Sequence, residues 1–411
     1  MKSACCPNRS WASLAGVALV TVFGLAAPVA RAQSGFPINW LYPYVDYSQG
    51  YDSNIFRTPD DLAGLTRPDL SDTYRTITTG LVLQREIGRQ VLSARLNLAR
   101  NHFDRLTFLD NDSRDFQANW NWRLGSSLSG NLGTNSSKTL TPFTESHDQE
   151  RNLRTQLRDT FDVTWEVLSN WDIQLSEKRS HQSFDLQRQQ SSNRNLQDHE
   201  IAINYWGVKP SRVGLILHRT QAQFPINSRD LQGLELPNGF YNFDQLEAEL
   251  RVDWYFSRKT SLHFRGGRID RRHELFPIRN FSGNNASLRV AWAVSSRFNI
   301  RGQLYREIGS VDNLINSYTL NRGRALQWDW NASSKIRIDG TLRIESRDYL
   351  GVINREALQL EQTRSATLGL TYVPWQHVQL GLAGNHERLQ SNFVNRAYRS
   401  NGINANVRYQ F

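Results

Sequence analysis

The side chains best suited to chemistry in this chain are charged residues that recur at every second position. Arg95, Arg123, Arg251, Arg265, Arg289, Arg301, Arg337, Arg343 and Arg408 share such a face with Glu247, Glu249 and Asp253, and Asp162, Glu166, Asp172, Asp339 and Glu345 extend it. Guanidinium and carboxylate groups lined up in this way can order water and steer a hydrophilic solute. They can equally pair with one another and stiffen a wall. The spacing alone leaves both roles open. Tyr305 and Trp206 fall among these charges, and their rings can stack on sugars.

Catalytic signatures are missing from the sequence. The nine histidines, His102, His181, His218 and His263 among them, follow no metal-ligand spacing, and no Gly-x-Ser-x-Gly elbow occurs. We therefore expect no enzyme, no resident metal and no cofactor. A hydrolase or lipid-modifying barrel whose site assembles from separate strands is the alternative from the enzyme class. Asp110, Asn111, Asp112 and Asp115 form an oxygen-rich cluster in what reads as an external loop. Hard cations such as calcium take oxygen ligands, but Asn and Asp also serve tight turns through their permissive backbone, and the turn is the preferred reading.

These residues have to be positioned by strands. The chain has 411 residues, a hydrophobic fraction of 39% and a mean hydropathy of −0.57, which excludes a bundle of apolar membrane helices. The one sustained apolar run lies between Trp11 and Ala27, after Lys2 and Arg9 and before Ala30-Arg31-Ala32. That order describes a signal peptide over residues 1–32, leaving 33–411 as the mature part. Cys5 and Cys6 fall inside the signal, so the mature chain has no thiol for catalysis or metal binding. Its 46 basic residues exceed its 39 acidic ones by +7. Export makes nucleic acid an improbable partner for this excess; outer-membrane lipid and lipopolysaccharide phosphates are the expected ones.

Alternation of apolar and polar residues pervades residues 33–411. Leu246, Ala248, Leu250, Val252, Trp254 and Phe256 alternate with charged and amide residues, as do Phe116, Ala118, Trp120 and Trp122. Successive strand residues point to opposite faces, so these segments have one greasy and one charged face. They run for about ten residues, the length of a tilted strand crossing a bilayer, whereas sandwich strands average about five or six. Short turns are expected at Gly88-Arg89, Gly125-Ser127, Ser169-Asn170, Lys209-Ser211, Ser257-Lys259, Ser295-Ser296, Ser333-Ser334 and Pro374-Gln376. Longer polar connections alternate with them, including Asn54 to Ser71, Thr139 to Glu150 and Pro225 to Gly239.

The pattern predicts an all-β, antiparallel, up-and-down transmembrane barrel of 18 strands with its first strand near Asn39 to Tyr47. Sixteen is the alternative, because Ser126 to Lys138 and Asn316 to Asn331 alternate less cleanly. Trp165, Trp171, Trp206, Trp292, Trp328, Trp330 and Trp375 flank the short turns as an aromatic girdle would. The charged face then lines the lumen. No loop is long enough to be identified as an inward-folded constriction, and a monomer is expected. Tyr409 and the final Phe411 close a regular dyad strand and read as the signal recognised by barrel-assembly machinery.

Residues Gly50-Tyr51-Asp52-Ser53-Asn54-Ile55-Phe56-Arg57-Thr58-Pro59 resemble a Tyr-Asp-x-Asn-hydrophobic-Phe-Arg segment found early in the putative β-barrel porin 2 family, which includes EpsL-type proteins of exopolysaccharide operons. The resemblance implies an outer-membrane component of exopolysaccharide biosynthesis or export that works with exopolysaccharide and its export proteins, and it carries over no catalytic residue. From the residues themselves, Asp52, Asn54 and Arg57 are expected to cap and order the first loop. A plugged barrel that scaffolds a secretion complex is the structural-class alternative to a porin-like passage.

Overall fold

The computed structural model describes residues 40–59, 70–145, 149–225, 237, 239–310, 318–350, 358–393 and 396–411. The signal segment and much of the Pro225 to Gly239 and Gly309 to Asn316 connections lie outside the described residues.

Eighteen antiparallel strands follow in order: β1 (Leu41–Asp52), β2 (Asp72–Ile87), β3 (Gln90–Phe103), β4 (Asn111–Leu124), β5 (Leu128–Leu140) and β6 (Leu153–Leu168). Next come β7 (Trp171–Phe184), β8 (Arg194–Trp206), β9 (Arg212–Gln223), β10 (Phe243–Tyr255), β11 (Thr260–Arg272) and β12 (Phe281–Ala293). The last six are β13 (Phe298–Ser310), β14 (Tyr318–Asn331), β15 (Ile336–Leu350), β16 (Leu360–Trp375), β17 (Val378–Ser391) and β18 (Tyr398–Gln410). Each strand pairs with its sequence neighbours, and β1 closes the ring on β18 from Tyr44↔Gln410 to Asp52↔Gly402. A closed sheet leaves no unpaired edge, the condition for crossing a bilayer with strands.

Seven of the eight short turns fall where the sequence places them; the eighth is shifted to Gln376-His377, because β16 takes in Pro374 and Trp375. The two weakly alternating segments form β5 and β14, so the count is eighteen and not sixteen. The first strand runs further than expected and takes in Gly50, Tyr51 and Asp52. Asn111–Leu124 is strand, so only Asp110 of the acidic cluster belongs to a connection; Asp112 and Asp115 are wall residues.

Apolar side chains on one face of the strands, such as Leu215, Leu304, Leu368, Trp254, Trp292 and Ile403, are exposed to the outside. Trp165, Trp171, Trp292 and Trp330 stand outward near the short-turn ends, at the level where rings with a polar tip favour headgroups. Trp206 departs from the expected girdle: by register it faces inward, and its indole N–H donates to Asp172.

Buried apolar side chains cluster at the opposite, long-loop end. Ile55, Phe56, Phe103, Leu109 and Phe143 form one knot, Ala222, Phe224, Tyr241 and Phe243 a second, and Ile269, Ile308 and Leu320 a third. The wall is therefore greasy outside, polar inside, and tied by apolar knots at its outer mouth.

Candidate functional site

Register fixes what lines the lumen. Gly214↔Arg251↔Arg265↔Ser287↔Tyr305↔Gly323↔Glu345 run side by side across β9 to β15, all on the face opposite the exposed leucines. The same register places Arg95, Arg123, Arg289, Arg301, Arg337, Arg343, Arg408, Glu247, Glu249 and Asp253 on that inward face. Carboxylates and basic groups occupy it in near-equal number.

Most of these charges meet a partner in the wall. Arg251 and Arg265 oppose each other directly, a placement that is destabilising unless a counter-charge intervenes. Glu200 supplies it: Arg251 Nη2 donates to Oε1 at 3.0 Å and Arg265 Nη2 to Oε2 at 2.8 Å. Arg251 also donates to Gln174 at 3.1 Å, and Arg265 Nε to Glu249. This cluster spans β7 to β11 and is drawn together by the inward curvature of the wall.

Glu247 accepts from Gln245 at 2.6 Å and Asn285 at 3.3 Å, with His218 3.9 Å away. Asp253 accepts from Arg212 at 2.6 Å and lies 2.8 Å from His263 Nδ1. Arg301 and Asn299 both donate to Asp329 at 2.8 Å. Arg408 reaches Asp46 at 3.2 Å and sits 4.5 Å from the Tyr44 ring centroid. Arg337 stands beside Asn331 and Thr371, Arg289 beside His263 and Gln303, Arg95 beside Val82 and Gln117, and Arg123 beside Ser129 at the short-turn end.

The two sugar-stacking candidates are held by the wall. Tyr305 donates to Glu345 and accepts from Arg343 at 2.7 Å, while Trp206 has the Arg212 guanidinium 5.1 Å from its ring centroid. Tyr409 and Phe411 face outward, their rings edge-on at 5.0 Å, and the Phe411 amide donates to Pro43 at 3.0 Å across the closing seam.

Two loops work at the outer mouth. In the first, the Asn54 amide and Arg57 Nη1 both donate to Asp52 Oδ1, at 2.8 and 3.1 Å, and Ser400 donates to the same oxygen at 2.6 Å. The Asn54 side chain closes the loop by bonding Thr58 in both directions. The Asp52, Asn54 and Arg57 cap is thus built, with Arg57 at φ 56°. Burial pushes the Arg57 pKa down, but Asp52 and Glu387 outweigh it and hold the guanidinium above its ordinary value.

In the second, Phe143 packs edge-on to Phe56 at 4.9 Å and Glu145 pairs with Arg154 at 2.5 Å. Burial raises the Glu145 pKa above the usual carboxylate range, although Arg154, Arg194 and Arg347 pull it down. The contact of Phe143 with Phe56, from the connection after β1, brings this segment inward over the mouth despite its shortness. Asp110 belongs to neither loop's interior. It accepts from the Phe103 amide at 2.8 Å and meets His102 Nδ1 at 2.6 Å. Although burial opposes it, these contacts lower its pKa. Among the described residues no group of His, Cys, Asp and Glu is arranged to hold a metal.

Glu200 is the functional residue that the sequence reading missed. Its signal was present in the alternation of Asp198, Glu200, Ala202 and Asn204 with Ile201 and Ile203.

Residues 266–411 match the model of the family described as Putative beta-barrel porin 2. Among solved structures, the chain is similar to OpdK of Pseudomonas aeruginosa with vanillate, at 12% identity and a TM-score of 0.48, covering 90% of this chain and 99% of that one. It is also similar to OccK2 (OpdF) of the same organism in complex with glucuronate, at 10% identity and a TM-score of 0.47, over 90% and 98%. No curated protein sequence matches the chain. The closed eighteen-strand wall, greasy outside and polar inside, is a porin-like outer-membrane β-barrel, and the family it matches over its last third is described as one of porins.

Proposed function

We propose that the lumen is a passive route by which a hydrophilic polymer or solute crosses the outer membrane, and that it serves exopolysaccharide export. The observation that carries the proposal is the inward face itself: charges of both signs, amides and hydroxyls follow one another around the ring. A sugar chain can exchange its hydrogen bonds with water for equivalent ones at each level. Arg95, Arg123, Arg251, Arg265, Arg289, Arg301, Arg337, Arg343, Arg408, Glu247, Glu249 and Asp253 line the proposed path. The near-balance of charge favours a neutral or weakly charged solute over strict selection of anions. The polysaccharide assignment rests on the Gly50 to Pro59 segment and its resemblance to EpsL-type proteins.

A second reading, a barrel closed at its mouth that acts as a scaffold, is favoured by the apolar knot joining Phe56 to Phe143. Single-channel conductance of the refolded barrel in a planar bilayer separates the two. Stable openings that an anionic oligosaccharide interrupts support the passage. Silence from a folded barrel overturns it in favour of the scaffold.

A further inference from the structure

The outer surface carries an asymmetry that passage through the lumen does not use. On β2 to β11, five outward arginines have acidic neighbours: Arg75 meets Asp104 at 2.8 Å, Arg179 meets Glu177 at 2.7 Å, Arg272 meets Asp270 at 2.9 Å, Arg219 meets Asp244, and Arg100 stands opposite Asp112; Arg114, opposite Lys138, and Arg85, over Trp40, are exceptions. On β13 to β18 the outward face carries Arg306, Arg322, Arg324, Arg364, Arg388 and Arg399, with Asp348 as its one carboxylate among the described residues.

These arginines are also adjacent. Arg306 pairs directly with Arg322, and Arg364, Arg388 and Arg399 oppose one another on three successive strands. Arg322 reaches Asp348 at 3.2 Å, while Arg324 and Arg388 meet no carboxylate among the described residues. Like charges facing each other across strands repel, and arginine on a lipid-facing wall is tolerated only near the interface. Arg388 stands about ten residues along β17 from its short-turn end at Val378. A strand rising about 3.3 Å per residue at a tilt near 40° climbs roughly 25 Å over that length, the height of the apolar band. Arg388, and Arg364 and Arg399 at the same level, therefore lie where outer-leaflet headgroups lie, while Arg324 sits about one third lower on β14.

Beneath the row the wall is concave. A groove of about 480 Å³ has Arg306, Arg322 and Arg324 on its lining together with Leu288 and Leu304. It continues into a second hollow of about 350 Å³ lined by Val290, Leu326, Leu342 and Ile344. Gly302 helps open the second hollow, since nothing lies within 4 Å of the place a Cβ would occupy. A cationic rim above an apolar trough matches a phosphate headgroup above an acyl chain.

We propose that the outward face of β12 to β18 is a binding site for a phosphorylated lipid of the outer leaflet. The phosphates sit between Arg306, Arg322, Arg324, Arg364 and Arg388, and one acyl chain lies along the trough. The bound anions remove the repulsion within the arginine row, so the lipid fixes the orientation of this half of the barrel in the membrane. A free sugar polymer is disfavoured as the occupant because the row continues into an apolar surface.

The test is native mass spectrometry of the full-length folded barrel released from maltoside micelles, with lipid A bisphosphate or its dephosphorylated form as probe. The wild type is expected to retain the phosphorylated lipid at a concentration at least roughly tenfold lower. Arg324→Gln, Arg364→Gln and Arg388→Gln combined should abolish the preference, and Arg388→Gln alone should weaken it. Arg179→Gln with Arg219→Gln, on the acid-balanced half, should leave it intact. Heat-modifiable gel mobility checks folding, and the two-lipid comparison on the wild type holds even if the triple variant does not fold. Equal retention of the two lipids, an undiminished preference in a folded triple variant, or displacement of the lipid by inorganic phosphate or soluble anionic oligosaccharide at matched concentration overturns the proposal.

Discussion

Tyr305 lies flat across Gly323 on the neighbouring strand: a Cβ on Gly323 would fall 2.1 Å from the ring. The same device recurs where Tyr44 covers Gly80 and Tyr74 covers Gly50. Each glycine makes room for an aromatic ring that would otherwise project into the lumen, and the ring hydroxyl then reaches beyond it, as Tyr44 does to Asn97 at 2.6 Å. Gly323→Val should drive the Tyr305 ring off the wall, breaking its contacts with Glu345 and Arg343. Overpacking of this kind costs about 1–3 kcal/mol. We expect a lower unfolding midpoint in urea and a smaller single-channel conductance, whereas Gly323→Val with Tyr305→Ala should recover the conductance.

Glu200 holds two opposed arginines, so its charge has more than a local effect. Its side chain is 16% exposed, enough burial for the loss to be felt but with water at hand to temper it. Glu200→Gln should destabilise the barrel by about 2 kcal/mol, below the range for a fully buried pair. It should also leave Arg251 and Arg265 with excess positive charge. Reversal potentials in a salt gradient should shift toward anion preference; an unchanged potential would mean that the cluster lies off the conducting path.

The environment of Glu145 predicts a mouth that responds to pH. Burial raises its folded pKa above the value in the free chain. The docked loop is therefore most stable below the ordinary glutamate range and loses stability as pH rises through the raised value. Conductance is expected to be lower at pH 4 than at pH 7, and Glu145→Gln, which stays neutral, should make the low-conductance state independent of pH.

His273, in the connection after β11, works in the opposite direction. Burial, with Arg271 and Arg279 nearby, lowers its pKa to about 4. The unfolded connection therefore binds the extra proton first. Its stability is complete above the ordinary histidine value and falls as pH drops from about 6.5 toward 4. Hydrogen exchange in residues 273–280 should speed up over that window, and His273→Phe should flatten the dependence.

The Asp52 cap can be tested by cleavage. Asp52→Asn removes the nearer of the two charge partners of Arg57, leaving Glu387 at 3.9 Å, and weakens an acceptor shared by three donors. A loss of about 1.4 kcal/mol corresponds to a tenfold change in loop opening, so trypsin cleavage after Arg57 should accelerate by roughly that factor. Unchanged cleavage would show that the Phe56 to Phe143 packing alone holds the loop.

Strand direction, the short turns and the inward face were legible because alternation over about ten residues leaves a strand little freedom of register. The strand count was less so. β5 is rich in Ser, Gly and Asn, so its outward face lacks apolar contrast, and part of its covering comes from another strand: Trp122 of β4 lies over Gly130. Contacts that depend on curvature escaped entirely. Arg251 meets Gln174, 77 residues earlier and three strands round the ring, and no spacing rule joins such positions. The mouth was hidden for a similar reason, since Phe56 and Phe143 pair only once both loops have turned inward.

The β12–β13 pairing runs only from Ala286↔Arg306 to Ala293↔Asn299, although β12 begins at Phe281 and β13 continues to Ser310. Beyond it, the Ile308 amide turns to the Asn285 side chain for its hydrogen bond. A closed cylinder under tension parts at its least-stitched seam, and here that seam meets both the lipid-facing trough and the outer rim. If the wall ever opens sideways, its zipper has a built-in starting tooth at Asn285.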